Sequence, residues 1–222
     1  MVGGRGNDTY VVRHAGDQII EREGEGIDEV VTEVSYTLPP HVENMRVFGS
    51  SVNSTEERPV LRGNALDNHI IGAPFSYEEI YGLEGDDILD GGGRHGAYLD
   101  GGPGNDRLLN SFGESRGGPG ADTFVAAGRG AHTSPDAPIT VLDFNPAEGD
   151  RIEIWAAQDY DSAALFAGGF LRFEADAQRL VFTLDPVTYA TSPWAVEQII
   201  VLPGVTSFDA SWVSVIRPPS RP

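Results

Sequence analysis

GLEGDDILD occupies Gly82 to Asp90, GGPGNDRLL occupies Gly101 to Leu109, GGPGADTFV occupies Gly117 to Val125, and GGRGNDTYV at Gly3 to Val11 repeats the outline. The shared frame is glycine, glycine, any residue, glycine, any residue, aspartate, any residue, large apolar. Gly63, Gly82 and Gly101 follow one another at intervals of 19 residues, and Gly117 comes after a shorter step of 16. Each block carries a polar pair (Asp67-Asn68, Asp86-Asp87, Asn105-Asp106) and then an apolar residue, Ile70, Leu89 or Leu108. Repetition at a fixed interval is the mark of a stacked array, because one such unit cannot bury its apolar residue alone.

Each position in the frame has a physical task. Glycines let the backbone enter left-handed or crowded conformations that a β-carbon resists. A chain turned that tightly can aim several carbonyl oxygens into one small space, and the aspartate adds carboxylate oxygens. Hard oxygen donors, several of them uncharged, suit calcium better than zinc or copper. The residues that follow run as a short strand with the apolar side chain pointing inward. Two such units make a winding of about 18 residues, close to the spacing observed. The expected fold is therefore all-β: a parallel β-roll, a calcium-binding solenoid with two short strands per winding, closed by a β-rich C-terminal cap. The intervening half-windings, GAPFSYEEIY from Gly72 and GGGRHGAYLD from Gly91, keep Ile80 and Leu99 but lose the aspartate. One edge of the roll should thus carry most of the ions.

The bulk composition agrees. The 222 residues include 34 Asp and Glu against 15 Lys and Arg, a formal net charge of −19. Such a surface repels nucleic-acid phosphates and anionic membranes and attracts cations, so no nucleic-acid partner is expected. Gly occurs 28 times and Pro 15 times, favouring turns over long helices. The absence of cysteine excludes disulfides, thiolate metal sites and cysteine nucleophiles. No apolar run approaches the ~20 residues of a membrane-spanning helix. MVGGRGND lacks the basic and apolar segments of a cleaved signal peptide, so export would use another route or a start further upstream.

These motifs resemble the RTX (repeats-in-toxin, hemolysin-type calcium-binding) family. The likeness extends to GGRGNDTYVV with AGDQIIEREGEGIDEVVTEVSYTLPPHVENMRVFG, to VLDFNPAEGDRIEI, and to IIVLPGVTSFDASWVSV, which is similar to the family's C-terminal cap and its uncleaved type I secretion signal. The resemblance implies that glycine-turn carbonyls and the aspartate carboxylate hold the ion. Transferred position by position, the aspartates are Asp8, Asp87, Asp106 and Asp122, and the glycines are Gly3, Gly4, Gly6, Gly82, Gly85, Gly101, Gly102, Gly104, Gly117, Gly118 and Gly120. Leu83 replaces the second glycine of its block, a change that a carbonyl ligand tolerates. Asn68 stands where aspartate is expected, so a weak or absent site is predicted there. Asp17, Asp28, Asp143 and Asp150 are further carboxylates read as solvated rather than ligating. The resemblance also implies secretion, folding on extracellular calcium, and type I export machinery as a partner.

The expected organisation is 1–62 as long-repeat coils, 63–151 as the nonapeptide roll and 152–222 as the cap. In the cap, Leu171 to Phe173, Leu180 to Leu184 and Val196 to Leu202 read as strands and Ser162 to Ala167 as a short helix. Trp155, Trp194 and Trp212 read as cap core, with a carbohydrate-stacking surface as the alternative. Gly113-Glu114-Ser115-Arg116-Gly117 fits a hydrolase nucleophile elbow by pattern, but Gly117 already opens a glycine turn. His14, His41, His69, His95 and His132 are scattered and outside any H-E-x-x-H. The expectation is accordingly a non-enzymatic calcium-binding module. The alternatives are the C-terminal calcium-binding and secretion domain of a larger secreted protease, lipase or polysaccharide-modifying enzyme, or an adhesin with a cell-surface or glycan partner.

Overall fold

The computed structural model describes residues 1–48, 58–73, 77–92, 96–126, 138–155, 161–183 and 197–217. In chain order its strands are β1 (Thr9–Val12), β2 (Glu29–Thr32), β3 (Tyr36–Thr37), β4 (Asn44–Val47), β5 (Val60–Arg62), β6 (His69–Ile71), β7 (Glu79–Tyr81), β8 (Ile88–Asp90) and β9 (Ala97–Asp100). They continue as β10 (Arg107–Asn110), β11 (Gly113–Arg116), β12 (Thr123–Ala126), β13 (Ile139–Val141), β14 (Arg151–Trp155), β15 (Leu171–Glu174), β16 (Arg179–Thr183), β17 (Glu197–Val201) and β18 (Val213–Ile216). One helix, α1 (Ser162–Ala167), precedes β15, and the Asp161 carboxylate caps it by accepting the Ala163 and Ala164 N–H groups.

Strands alternate between two sheets, as a two-strand winding demands. One sheet runs β1-β2-β4-β6-β8-β10-β12-β14-β18, and the other runs β3-β5-β7-β9-β11-β13 and then β17-β16-β15. Every pairing in the first sheet is parallel. The fold is the expected all-β parallel roll.

Register explains the 19-residue spacing. Tyr10, Val30, Met45, Ile70, Leu89, Leu108, Phe124, Ile152 and Val213 lie opposite one another on successive strands of the first sheet, and all are buried. Tyr36, Leu61, Ile80, Leu99, Ser115 and Val141 form the facing column. Each coil thus contributes an inward side chain to each column, some strands add a second such as Val12 or Ile154, and the two columns meet as the core. Stacking buries what a single coil leaves wet, at about 25 cal/mol per Å² of apolar surface.

Ser115 interrupts the apolar column. It is 1% exposed, and the Asn110 side-chain amide donates to its Oγ at 3.4 Å and to the Ala97 carbonyl at 3.0 Å. The elbow-like motif is therefore a coil strand running into a glycine turn. β17 pairs parallel with β13, and beyond it the second sheet turns antiparallel through β16 and β15. Phe144, Phe166, Phe173, Phe208 and Trp212 pack with Phe124 into an aromatic cluster over this end of the core. Trp212 belongs to that cluster, while Trp194 lies outside the described residues.

Candidate metal centre

The residue immediately before each of the first eight strands of the first sheet falls on one edge of the roll. In order along the sheet these are Asp8, Asp28, Glu43, Asn68, Asp87, Asp106, Asp122 and Asp150. Most are tied together by one repeated bond, in which the backbone N–H of one residue donates to the carboxylate of the next. Asp8 donates to Asp28 Oδ1 at 2.8 Å, Asp28 to Glu43 Oε2 at 2.8 Å and Asn68 to Asp87 Oδ1 at 2.7 Å. Asp87 donates to Asp106 Oδ1 at 2.8 Å, Asp106 to Asp122 Oδ1 at 2.9 Å and Asp122 to Asp150 Oδ1 at 3.0 Å. Strand stacking therefore converts a sequence repeat into a column of carboxylates.

The other carboxylate oxygen behaves differently. Oδ2 of Asp8, Asp87, Asp106 and Asp122 is buried and has no hydrogen-bond partner. An ionised oxygen shut away from water with no donor is costly, so such an atom calls for a ligand that supplies positive charge. Asn68 is the internal control. Its Oδ1 accepts the Asn64 N–H at 2.8 Å, and its Nδ2 donates to the Glu43 carbonyl and to Asn64 Oδ1, each at 3.2 Å. Where the sequence places an amide, protein groups satisfy it; at the four nonapeptide aspartates, one oxygen is left over.

The glycine frame makes room for these oxygens. A β-carbon at Gly3, Gly82, Gly101 or Gly117 would collide with the carboxylate of Asp8, Asp87, Asp106 or Asp122, respectively. The second and fourth places serve the backbone instead: Gly4, Gly6, Gly85, Gly102, Gly104, Gly118 and Gly120 all have positive φ. Successive turns are stitched by N–H donation from Gly82 to the Asp100 carbonyl, from Gly102 to the Gly117 carbonyl and from Gly104 to the Pro119 carbonyl. Leu83 shares the left-handed conformation with φ of 88°. Its second-place position is thus a strained one for a leucine, which a reading of carbonyl donors alone passes over. Leu83→Gly should raise the unfolding free energy measured in urea by about 1 kcal/mol, because Leu83 is 39% exposed and gives up little burial.

Burial sets the electrostatics. It pushes Asp87 up to about 8, against the pull of the Asn68 N–H bond, with the Asp106, Asp67 and Asp86 carboxylates adding to the rise. Burial likewise raises Asp106 and Asp122 to about 7 each, and it raises Asp150. A cation at this edge would restore the charged forms.

The remaining carboxylates sort by partner. Asp17 Oδ2 accepts the Arg13 and His14 N–H groups, and those bonds hold its carboxyl below the usual range. Asp143 accepts the Gly117 and Gly118 N–H groups at 3.0 Å each, taking the place of a further glycine turn. Asp150 uses both oxygens, accepting from Asp122 and Asn145. Asp28 joins a group with Asp8 and Glu21 in which one carboxylate oxygen from each lies within 4.8 Å of the others. Glu21 carries no nonapeptide signature and was not legible as a site residue. On the opposite edge the corresponding places hold Glu78, whose carboxylate accepts the Ala73 N–H at 2.9 Å, and Ala97. His14, His41 and His69 stand apart from the acidic group, and His95 and His132 lie outside the described residues. Among the described residues no helix is long and apolar enough to cross a membrane.

No family model matches the chain. A stretch of 72 residues, 32% of this chain, is 40% identical to the endo-1,3-1,4-beta-glycanase ExsH of Rhizobium meliloti (strain 1021). That stretch spans 14% of the glycanase's length. The comparison corrects the expectation of a non-enzymatic protein: the chain has sequence similarity to an enzyme.

Proposed function

We propose that this chain is a calcium-binding β-roll of the RTX type serving a secreted, polysaccharide-acting enzyme. The observation that carries the calcium reading is the run of buried aspartate Oδ2 atoms without partners, set against the fully bonded Asn68 in the same column. The donor set, carboxylate oxygens beside glycine-turn carbonyls, suits a hard divalent cation. Asp8, Asp87, Asp106 and Asp122 would supply the carboxylates, and the turns at Gly3-Gly4-Gly6, Gly82-Gly85, Gly101-Gly102-Gly104 and Gly117-Gly118-Gly120 would supply carbonyl oxygens. Bound calcium supplies positive charge against a column of like charges. The similarity to a glycanase supports the polysaccharide part of the reading, and a net charge of −19 suits a chain that orders only where calcium is abundant.

The chain's own residues explain why ordering should depend on the ion. Glycine turns lose much backbone entropy on folding, and the aspartate column opposes closure once ionised. Extracellular calcium modules bind with Kd of about 10⁻⁴–10⁻³ M, so the switch would sit between cytosolic and extracellular concentrations. The test is a calcium titration followed by far-UV circular dichroism, with magnesium in parallel. Calcium should raise the β signal at millimolar or lower concentration, magnesium should not, and Asp106→Ala should move the midpoint severalfold upward. Full structure in excess chelator at pH 8, together with an unmoved Asp106→Ala midpoint, defeats the proposal.

A further inference from the structure

The acidic group at Asp8, Glu21 and Asp28 differs in kind from the rungs at Asp87, Asp106 and Asp122. Only here, among the described residues, do three acidic side chains each bring a ligand atom within 4.8 Å of the others. Glu21 reaches the group because the chain around it runs beside the first residues: Val2 bridges to Ile20, and the Ile20 N–H donates to the Met1 carbonyl at 3.0 Å. That bridge, with Ile19 buried in the core, aims the glutamate at the Gly3 turn, where its Oε1 accepts the Gly3 N–H at 3.3 Å. The Tyr10 hydroxyl donates to the same Oε1.

Two further observations point to a ligand. Glu21 is 8% exposed and its Oε2 has no hydrogen-bond partner, and Asp8 Oδ2 beside it is equally unsatisfied. The ion pairs of this region run elsewhere, from Arg22 to Glu25 and from Arg46 to Glu29. Gly3 keeps the space clear, since a β-carbon there would overlap the Asp8 carboxylate and the Tyr10 hydroxyl. Three clustered carboxylates with two orphaned oxygens form an all-oxygen pocket away from the ion pairs of this region.

We propose that Asp8, Glu21 and Asp28 form a hard-cation site that binds calcium or a lanthanide at least tenfold more tightly than the aspartate column does. Calcium affinity rises with the number of ligating carboxylates and with rigidity of the site. The Asp28 carboxylate is fixed by accepting the Asp8 N–H, and the Glu21 carboxylate is fixed by Tyr10 and Gly3. This site fills first and ties residues 1–3, the turn at Asp8 and the segment through Glu21 and Asp28 into one ordered coil. The inference rests on the cation-binding reading at Asp8 and deepens it with Glu21 and Asp28, which that reading does not use.

The experiment is terbium(III) luminescence excited through tyrosine, with calcium calorimetry on the same full chain. Tyr10 lies one hydrogen bond from Glu21, so the first equivalent of terbium should show sensitised emission. Glu21→Gln retains an acceptor for Tyr10 and should abolish the tight event while sparing the weaker ones. Asp106→Asn should weaken the later events and spare the first. Tyr10→Phe removes the sensitiser and frees the Glu21 carboxylate, so it should remove most first-equivalent emission and weaken the tight calcium event severalfold while sparing the later ones, and it decides the matter if Glu21→Gln fails to fold. A tight event that survives Glu21→Gln, or the absence of any event tighter than those Asp106→Asn weakens, overturns the proposal. Loss of the Asp106-dependent events alone from this pattern would count against the column and not against this site.

Discussion

In excess chelator the protein should lose thermal stability as pH rises from about 4 to about 8, and saturating calcium should remove that loss. The sign follows from the aspartate column. Burial lifts Asp87 to about 8 and Asp106 and Asp122 to about 7, each from a reference value of 3.8. The folded chain therefore holds protons on these groups that the unfolded chain has released. Stability from that difference is fully present below about pH 4 and is lost as pH climbs through 7 to 8. Above that window the column is ionised, with Oδ2 atoms that have no donor, and a divalent cation becomes the means of neutralising it. Each kcal/mol is worth about 2–4 °C in a chain of this size, so three groups titrating together should give a plainly measurable shift. Melting temperatures measured with chelator and with calcium at pH 5 and pH 8.5 decide it. A chelated protein equally stable at both pH values would show that the buried carboxylates have some other compensation.

The parts of this architecture that depend on local spacing were legible in the sequence. Ile70, Leu89, Leu108 and Phe124 each follow their polar pair at a fixed distance, and all four occupy the inward column. The aspartates of the same frame line one edge, and Asn68 marks the one described nonapeptide turn whose polar atoms are all engaged by protein groups. The cap strands were legible from alternation, and Ser162 to Ala167 from its sequence as a short helix or turn, with the Asp161 cap visible only in the structure.

What escaped depends on stacking rather than spacing. Glu21 lies 13 residues after Asp8, an interval with no counterpart among the nonapeptides, and it meets Asp8 because of the bridge between Val2 and Ile20. Glu43 enters the column from a segment with no glycine frame at all. The pattern around Ser115 only excluded a nucleophile elbow; strand register is what puts the serine inside, where Asn110 can satisfy it. The reversal to antiparallel pairing at β16 is a tertiary choice, since the alternating residues of β15 and β16 fit either direction. The task of the first glycine was also hidden. In the sequence every glycine of the frame has the same conformational task, whereas the structure shows at the first one a clearance for the carboxylate that only a missing β-carbon provides.

That clearance gives the second large effect, measured by comparing three glycine-to-alanine changes. Gly120→Ala should cost about 3 kcal/mol or more, because two penalties coincide. Its φ of 146° is one that alanine resists, and the new β-carbon would overlap the Gly104 carbonyl oxygen of the adjacent turn. Gly4→Ala separates the first penalty from the second, since φ is 88° and nothing lies within 4 Å of the added carbon. It should cost only about 1–2 kcal/mol. Gly117→Ala separates a different pair: its φ is not positive, but its β-carbon would displace the Asp122 carboxylate. The cost should therefore appear in cation binding, as a severalfold higher calcium midpoint, with a smaller change in chelator. Calcium titrations followed by circular dichroism give the midpoints, and urea unfolding at saturating calcium and in chelator at pH 5 gives the stabilities of all three variants. If Gly117→Ala leaves the calcium midpoint where it was, the first glycine is not guarding a ligand oxygen. If Gly120→Ala costs no more than Gly4→Ala, adjacent turns are less closely stacked than the carbonyl positions require.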